Sequence, residues 1–312
     1  MQIAILIPCH NEEAAIGNVV RDFSAAVPEA TIYVYDNNST DRTREIATKA
    51  GAQVRSERRQ GKGHVVCRMF ADIDADVYVL VDGDDTYDAA SAPRMIERLR
   101  SEQLDMVTGV RIPSSRGAYR TGHVFGNRLL TGLVARLFEN RFSDLLSGYR
   151  IFSRRFVKSF PALVSGFEIE TAFTVHALEL RMPVAEMETP YKDRPAGSAS
   201  KLRTYRDGFR ILRTIFRLVL EVRPLALLGW LSFLFALTSV GIAVPVFETY
   251  AQTGLVPRLP TAVLSASLMV LAFLSLASGL ILEMVTLGRR ESKRLRYLAL
   301  PAPPPPESRG AE

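Results

Sequence analysis

The sequence predicts an α/β domain with a mostly parallel sheet, followed by an amphipathic helix and two transmembrane helices. Three observations lead to this prediction. Strand-like and helix-like segments alternate over residues 1–200, polar residues gather where strands end, and two long uncharged runs lie further along the chain. Alternation of this kind favours a parallel sheet covered by helices on both faces.

The alternation is read from apolar and β-branched runs that lie between turn residues. Strands are predicted at Ile3–Pro8, Thr31–Tyr35, Val77–Val81 and Asp105–Val110, and helices at Glu12–Ala26, Thr40–Ala50 and Ala92–Arg100. In parallel sheets, ligands bind at the carboxyl ends of the strands. Three of those ends carry His10–Glu12, Asp36–Asn38 and Asp82–Asp85. We therefore expect the functional site at that edge of the sheet.

Two runs without any charged residue, Pro224–Phe247 and Leu259–Leu282, are each 24 residues long. A helix of that length spans roughly 36 Å, enough to cross a bilayer. A pair of buried helices in a soluble bundle is the alternative, but two such runs around a short loop are rare in soluble chains. We expect a transmembrane hairpin within residues 224–288.

Basic residues flank this hairpin on both sides, whereas the short loop offers only Arg258 against Glu248. Positive flanks remain cytoplasmic, so a multi-pass protein of the inner (cytoplasmic) membrane with both termini in the cytoplasm is expected. The opening residues have no basic start, unlike a signal peptide. The basic flanks comprise Lys201, Arg203, Arg206, Arg210, Arg213, Arg217 and Arg223 before the spans, and Arg289, Arg290, Lys293, Arg294 and Arg296 after them.

Residues 201–223 place apolar and arginine side chains at alternating steps of three and four. Such a helix suits the membrane interface, with its arginines on lipid phosphates; a solvated surface helix is the alternative. The predicted organisation is a cytoplasmic catalytic domain at 1–200, this juxtamembrane helix at 201–223, the hairpin at 224–288, and a basic, then proline-rich tail at 289–312.

Composition narrows the class of protein. The 312 residues are 47% apolar and 23% charged, which excludes a disordered or low-complexity chain. Lys and Arg total 39 against 33 Asp and Glu, a net charge of +6 that suits an anionic partner. The basic residues cluster beside the spans rather than on an aromatic platform, so no nucleic acid is expected. The sequence leaves the oligomeric state open, a homo-oligomer included.

The acidic turn after the third predicted strand carries the strongest chemical signal. Asp82 and Asp84 are separated by one glycine and can face the same site. Paired carboxylates suit Mg²⁺ or Mn²⁺, which in turn hold diphosphate oxygens. A polar turn that caps the next helix is the alternative. Asp36 is likewise a candidate ligand at its strand end, or a turn residue. No dinucleotide-binding or P-loop glycine motif occurs in the sequence.

Several segments taken together resemble family-two glycosyltransferases. These are ILIPCHNEEAAI, VYDNNSTDRT and VLVDGDDTYD, which resemble that family's first strand, second turn and metal-binding D-x-D. FSDLLSGYRIFSRR and the segment from GFEIETAF to GSASKL resemble its polyprenyl-phosphate branch, which includes dolichol-phosphate mannose synthases and bacterial undecaprenyl-phosphate glucosyltransferases. The resemblance implies a nucleotide-sugar-binding GT-A-like domain and covers about two-thirds of the chain.

The resemblance also implies roles for individual residues. Asp84 is the main metal ligand, and Thr86 stands where many relatives carry a glutamine that is a further ligand. Lys62, between two glycines, is either a donor-phosphate contact or a loop lysine. Glu168 and Glu170 are not distinguished from each other. The donor-binding set is Pro8, Asn11, Glu12, Asp36, Lys62, Asp82 and Arg111; the acceptor-phosphate set is Arg128, Ser147, Arg194, Ser200 and Lys201; the catalytic set is Asp84, Asp144, Arg128 and Arg150; and the metal set is Asp82, Asp84 and Thr86.

The activity that the resemblance implies is hexosyl transfer from a nucleotide diphosphate sugar to a polyprenyl phosphate, with UDP-glucose favoured and GDP-mannose next. An acceptor phosphate is already ionised at neutral pH, so Asp144 is expected to orient rather than to act as an indispensable base. Three alternatives remain: a processive polysaccharide synthase, whose Q-x-x-R-W element is not matched here; transfer to another lipid, whose hydroxyl needs a general base; and a membrane-anchored nucleotide-sugar-binding protein without catalysis.

Overall fold

The computed structural model describes residues 1–113, 132, 142–161, 169–192, 216, 220 and 222–302. The chain divides into two compact units. The first consists of Met1–Ile211 and Lys293–Glu312, and the second of Leu212–Ser292. The four-part division that the sequence suggests stays a prediction, and the juxtamembrane helix expected at 201–223 lies almost entirely outside the described residues.

The described part of the first unit contains one sheet of seven strands in the order β3-β2-β1-β4-β6-β5-β7. β6 runs antiparallel to its neighbours β4 and β5, and the other pairings are parallel. The predicted mostly parallel sheet is therefore confirmed. The strands are β1 (Ile3–Cys9), β2 (Ala30–Asp36), β3 (Gln53–Ser56), β4 (Val77–Leu80), β5 (Met106–Pro113), β6 (Arg150–Ser153) and β7 (Val184–Tyr191).

Helices connect these strands and cover the sheet. β1 and β4 form its centre, and every residue of β4 and β6 is buried. Burial on both faces explains why β1 and β4 are almost continuously apolar. The helices of this unit are α1 (Ile16–Ala26), α2 (Thr43–Lys49), α3 (Lys62–Asp72), α4 (Ala92–Ser101), α5 (Arg154–Ser159) and α6 (Ile169–Glu179), with a short 3₁₀ turn at Ala89–Ser91.

The predicted start of the first helix at Glu12 is wrong, because α1 begins at Ile16. The carbonyl of Glu12 accepts hydrogen bonds from the backbone N–H groups of Ala15 and Ile16, which closes a turn before the helix. The predicted start of the second helix at Thr40 is wrong as well, since α2 begins at Thr43. The residues before each helix instead form hydrogen bonds between the loops at the carboxyl end of the sheet.

The second unit contains α7 (Pro224–Thr253) and the beginning of α8 (Leu259–Leu298), both long and apolar enough to cross a membrane. Within this unit the Ser239 hydroxyl donates to the Ser265 carbonyl at 2.7 Å, and the Ser265 hydroxyl returns a bond to the Ser239 carbonyl at 3.0 Å. The buried positions of α8 are Ser265, Ala272, Gly279 and Thr286, one in every seven residues. Small residues at such positions let two helix backbones approach closely.

A buried carboxylate anchors the C-terminal segment of the first unit. Asp105 is fully buried; its Oδ1 accepts from Arg155 Nε at 2.5 Å and from the Ser153 hydroxyl at 2.6 Å. Its Oδ2 accepts from the Tyr297 hydroxyl at 2.8 Å. Arg155 also stacks on the Tyr297 ring, with its Cζ 4.9 Å from the ring centroid. Residues separated by almost two hundred positions therefore meet at Asp105.

Replacing Asp105 with alanine is expected to lower the free energy of unfolding of the first unit by about 3–5 kcal/mol, because Arg155 loses its buried partner. Asp74→Ala is the matched control. It removes an equally well-formed pair with Arg154, with both N–O distances at 2.9 Å, but Asp74 is 63% exposed. An exposed pair contributes no more than about 1 kcal/mol. Thermal unfolding followed by circular dichroism tests this, and equal losses in the two variants would contradict it.

Candidate active site

The carboxyl ends of β1, β2 and β4 lie side by side and carry the polar residues noted in the sequence. Cys9 pairs with Asp36 across β1 and β2, so the loops after both strands leave the sheet together. Each loop contains one residue in the left-handed backbone region: Asn11 at φ 54°, Asn38 at φ 61° and Asp85 at φ 58°. Asparagine and aspartate tolerate this conformation better than other non-glycine residues. Three sharp turns therefore border one edge of the sheet.

The loops after β1 and β2 are tied to each other. Asn11 Oδ1 accepts the backbone N–H of Thr40 at 2.8 Å, and the Ser39 hydroxyl accepts that of Asn11 at 2.9 Å. Both carboxylate oxygens of the buried Asp36 accept the N–H of Ser39, each at 3.3 Å. Asp36 therefore organises its own turn, and its predicted role as a donor contact stays a prediction. Pro8 and Glu12, the other predicted donor-pocket residues of this region, lie within β1 and just after it.

Two glycines allow the acidic turn to pack closely. A Cβ on Gly83 would lie 2.6 Å from Cys9 Sγ, and one on Gly148 would lie 2.5 Å from Asp82 Oδ2. Real Cβ atoms do not approach other atoms so closely. Gly83 lets the D-G-D turn lie on β1, and Gly148 lets the segment before β6 lie against the Asp82 carboxylate. The distant S-G-Y-R element is thus brought to the D-x-D turn.

Asp84 is held by a neighbour in its own turn. It is 5% exposed, and its Oδ1 accepts the Thr86 hydroxyl at 2.6 Å and the Thr86 N–H at 3.3 Å. Thr86 is 1% exposed. This geometry favours Thr86 as a residue that orients Asp84, while its predicted role as a third metal ligand stays a prediction.

Lys62 joins the acidic turn to α6. Its Nζ lies 2.5 Å from Asp82 Oδ1 and 2.6 Å from Glu170 Oε1, and only 12% of its side chain is exposed. Burial alone would lower the pKa of Lys62, but the two carboxylates outweigh it and raise the pKa above its usual range. Lys62 is therefore a charged residue beside the acidic turn, and its predicted contact with a donor phosphate stays a prediction. Glu170 faces this site, and Glu168 lies outside the described residues.

Asn37 lies at a strand end noted in the sequence, but the sequence analysis gave it no role. It is 3% exposed; its Nδ2 donates to the carbonyls of Glu57 and Arg59 at 2.8 Å each, and its Oδ1 accepts the N–H of Gly61 at 2.8 Å. These three bonds fix the loop that leads into Lys62. Asparagine side chains commonly bond to nearby backbone groups in turns, but here the backbone is twenty or more residues away.

Arg111, near the carboxyl end of β5, forms a bidentate ion pair with Asp144. Arg111 Nε lies 2.7 Å from Asp144 Oδ2, and Arg111 Nη2 lies 2.8 Å from Oδ1. Burial alone would raise the pKa of the Asp144 carboxyl, but the hydrogen bonds and charge of Arg111 lower it below its usual value. Glu186 on β7, also missed from sequence, accepts the N–H and hydroxyl of Ser143 and so holds the adjoining backbone.

Ser147 and Arg150 lie beneath this pair and are both fully buried. Arg150 donates to the carbonyls of Leu145 and Ser147 at 2.8 and 3.0 Å, and to the Thr174 hydroxyl at 2.9 Å. Burial lowers the pKa of Arg150 to about 10. The Ser147 hydroxyl donates to the Gly109 carbonyl at 2.5 Å. These contacts favour shaping of the Asp144 loop over direct contact with a substrate. The remaining predicted site residues, Arg128, Arg194, Ser200 and Lys201, lie outside the described residues.

The described residues contain no group of three or more His, Cys, Asp or Glu side chains arranged to hold a metal ion. Asp82 and Asp84 nevertheless fit a Mg²⁺ or Mn²⁺ ion that keeps waters and takes further oxygens from a bound diphosphate. Both carboxylates belong to a single turn that Gly83 folds onto β1. The chemistry of the pair, with a lysine beside it, suits an anionic phosphate ligand and a divalent cation.

Comparison with known proteins identifies the family and several relatives of this chain. The family model described as Glycosyl transferase family 2 matches residues 4–160. Glycosyltransferase AglJ of Haloferax volcanii is 32% identical over 299 residues, which are 95% of this chain and 98% of that protein. The Dolichyl-phosphate hexose transferase of the same organism is 28% identical over 221 residues, 71% of this chain and 95% of its own.

Among solved structures, glucosyl-3-phosphoglycerate synthase from Mycobacterium tuberculosis in complex with Mn²⁺, UDP-glucose and glycerol 3-phosphate is similar. It is 25% identical with a TM-score of 0.56, and the alignment covers 70% of this chain and 79% of that one. This likeness confirms the predicted GT-A-like α/β fold.

Proposed function

Since this chain belongs to glycosyl transferase family 2, we propose that it transfers a hexose from a nucleotide diphosphate sugar to a polyprenyl phosphate at the cytoplasmic face of the membrane. UDP-glucose is the favoured donor and GDP-mannose the next. The observation that carries the proposal is the acidic turn of Asp82 and Asp84 with the Lys62 ammonium 2.5 Å from Asp82. Two helices, α7 and α8, are long and apolar enough to cross a membrane. A protein with such helices is well placed to act on an acceptor that is itself a lipid.

The charges of Asp82, Asp84 and Lys62 indicate how the site would bind the donor. Asp82 and Asp84 would hold Mg²⁺ or Mn²⁺, which when bound neutralises charge on the leaving diphosphate. Lys62 supplies a second positive charge for the same oxygens, and Asn37 fixes the loop that presents it. The Mn²⁺ and UDP-glucose in the complex of the mycobacterial synthase support this assignment.

The acceptor end needs a cation and no strong base. A phosphate monoester has its second pKa near 6, so at neutral pH it can attack the sugar C1 directly in one inverting step. Arg111, predicted from the sequence as a donor contact, is here assigned to the acceptor phosphate, since it is the described arginine best suited to orient it, with 17% of its side chain exposed. Asp144 accepts two hydrogen bonds from the Arg111 guanidinium and acts as the residue that positions it.

Membrane attachment gives the catalytic domain access to a lipid that cannot leave the bilayer. In this proposal α7 and α8 cross the membrane, the short loop between them faces outward, and both termini remain in the cytoplasm. The relative named as a dolichyl-phosphate hexose transferase supports a lipid phosphate as acceptor.

Replacing Asp144 with asparagine is expected to lower kcat/KM about 100-fold at pH 7, because breaking a buried charge pair costs about 2–5 kcal/mol. The lowered pKa keeps Asp144 ionised from well below pH 5 upward. The fall in rate below about pH 6 should therefore come from the acceptor phosphate. The same fall in rate below about pH 6 should persist in Asp144→Asn. Rates measured from pH 5 to 8 test this, and loss of that acid limb in Asp144→Asn would make Asp144 the base.

The proposed function is tested by sugar transfer with the purified full-length protein in detergent. Undecaprenyl phosphate and Mg²⁺ or Mn²⁺ are added to a panel of radiolabelled UDP- and GDP-sugars, with EDTA as a control. We expect one donor to label the lipid in a metal-dependent manner. Labelling that persists undiminished in EDTA, or no labelling by any donor, would contradict the proposal.

A further inference from the structure

Lys62 is a buried cation that bonds two carboxylates from distant parts of the chain. Asp82 lies on the acidic turn, and Glu170 lies in the first turn of α6, 108 residues from Lys62. The side chains of Lys62 and Glu170 are 12% and 7% exposed, whereas that of Asp82 is 30% exposed. The bridge is therefore closed on the α6 side and open on the side of the acidic turn.

The bridge uses an oxygen that a metal ion would need. Lys62 Nζ lies 2.5 Å from Asp82 Oδ1, and the other oxygen, Oδ2, faces Gly148, where an added Cβ would lie only 2.5 Å away. An ammonium group and a divalent cation compete for Oδ1, since both would bond closely to it and their positive charges repel each other. Coordination by Asp82 through Oδ1 requires that Lys62 moves away.

We propose that Lys62 is an internal competitor of the metal ion: it holds Asp82 until the donor binds, and then exchanges Asp82 for the donor diphosphate while Glu170 keeps its ammonium group in the site. This inference rests on the proposed function and concerns the order of binding. Glu170 is a positioning residue in this exchange, and Asp82 is the group that changes partner.

The charges give the exchange its direction. Lys62 contributes one positive charge and Asp82 with Glu170 two negative charges, so the triad has a net charge of −1. A metal ion arriving alone meets the competing ammonium group. A nucleotide diphosphate arriving with the ion offers Lys62 a new anionic partner, which frees Asp82 Oδ1. Metal and nucleotide should therefore strengthen each other's binding, and such coupling is reciprocal.

Removing Lys62 and removing the charge of its partner Glu170 are expected to have opposite effects on metal binding. In Lys62→Met the competitor is removed, so Asp82 is free for the metal even without nucleotide. In Glu170→Gln the ammonium group loses one of its two charged partners and bonds more strongly to Asp82, so the metal competes less well. A residue that only maintained the fold would weaken metal binding in both variants.

The experiment measures free Mn²⁺ by electron paramagnetic resonance during titration of the purified full-length protein, with and without UDP. Relative to wild type without UDP, we expect Lys62→Met to bind Mn²⁺ at least tenfold more tightly and Glu170→Gln several-fold more weakly. UDP should strengthen Mn²⁺ binding by wild type at least tenfold and by Lys62→Met much less. Lys49→Met, which removes an exposed lysine paired with Glu45, is the control and should match wild type.

Lys62→Arg keeps the positive charge and provides a second variant in case the methionine variant does not fold, with circular dichroism as the check. It should bind Mn²⁺ without UDP as weakly as wild type does. Unchanged or weaker Mn²⁺ binding by folded Lys62→Met, or at least tenfold tighter binding by Lys62→Arg, would overturn the exchange. Failure of the proposed function gives a different result, because wild type would then bind neither UDP nor Mn²⁺ with UDP.

Discussion

Replacing Asp84 with alanine is expected to lower kcat for sugar transfer by about 10³-fold, equivalent to about 4 kcal/mol of lost transition-state stabilisation. Asp84 is 5% exposed and is oriented by the Thr86 hydroxyl at 2.6 Å, so its carboxylate is fixed before any ligand arrives. A metal ion at a leaving diphosphate provides several kcal/mol, and removal of its main ligand should forfeit most of that effect.

Asp85→Asn is the matched control for this prediction. It removes the same charge one residue further along the turn, and asparagine tolerates the φ of 58° found at Asp85. We expect its initial rate to stay within a few-fold of wild type. If Asp84→Ala retained a tenth or more of the wild-type kcat, or if both variants lost activity equally, Asp84 could not be the main ligand.

The second large loss of activity is expected when a single methyl group is added at Gly148. Gly148→Ala would place a Cβ 2.5 Å from Asp82 Oδ2, so either the carboxylate or the backbone before β6 must shift. Misplacement of a reacting or ligand group by about 1 Å can cost about 100-fold in rate, and we expect a loss of that size in kcat.

Gly241→Ala is a suitable control, since beyond the adjoining turns of its own helix no atom lies within 4 Å of the added methyl group. Circular dichroism should show both variants folded, with only Gly148→Ala impaired in initial rate. Wild-type activity in folded Gly148→Ala would show that the close approach of this segment to Asp82 is unimportant for catalysis.

The parts of the fold that sequence could predict are those with a strong local pattern. β1 and β4 are continuous apolar runs because both of their faces are buried, and polar turns mark their ends. β3 escaped prediction because it is a short strand with largely exposed residues, QVRS, at one end of the described sheet order. The four residues of β6 are too few for a periodic signal.

The contacts of the site likewise divide into local motifs, which the sequence could identify, and long-range pairs, which it could not. D-x-D and S-G-Y-R are local motifs, and the sequence could identify them without knowing that Gly148 touches Asp82. Lys62 and Glu170 meet across 108 residues, and no spacing rule relates them. The Glu186 carboxylate likewise holds Ser143 across 43 residues. Such pairings depend on strand order, which local pattern does not determine.

The central claim is that the sugar is transferred to a lipid phosphate, and the most direct measurement compares acceptors that differ only in that phosphate. The purified protein is given its labelled donor and a divalent metal, with either undecaprenyl phosphate or undecaprenol, and the products are identified by mass spectrometry. We expect a glycosyl phosphate lipid from the first acceptor and no product from the second. Transfer to undecaprenol at a comparable rate would contradict the claim, because the enzyme would then act on a hydroxyl group and require a general base.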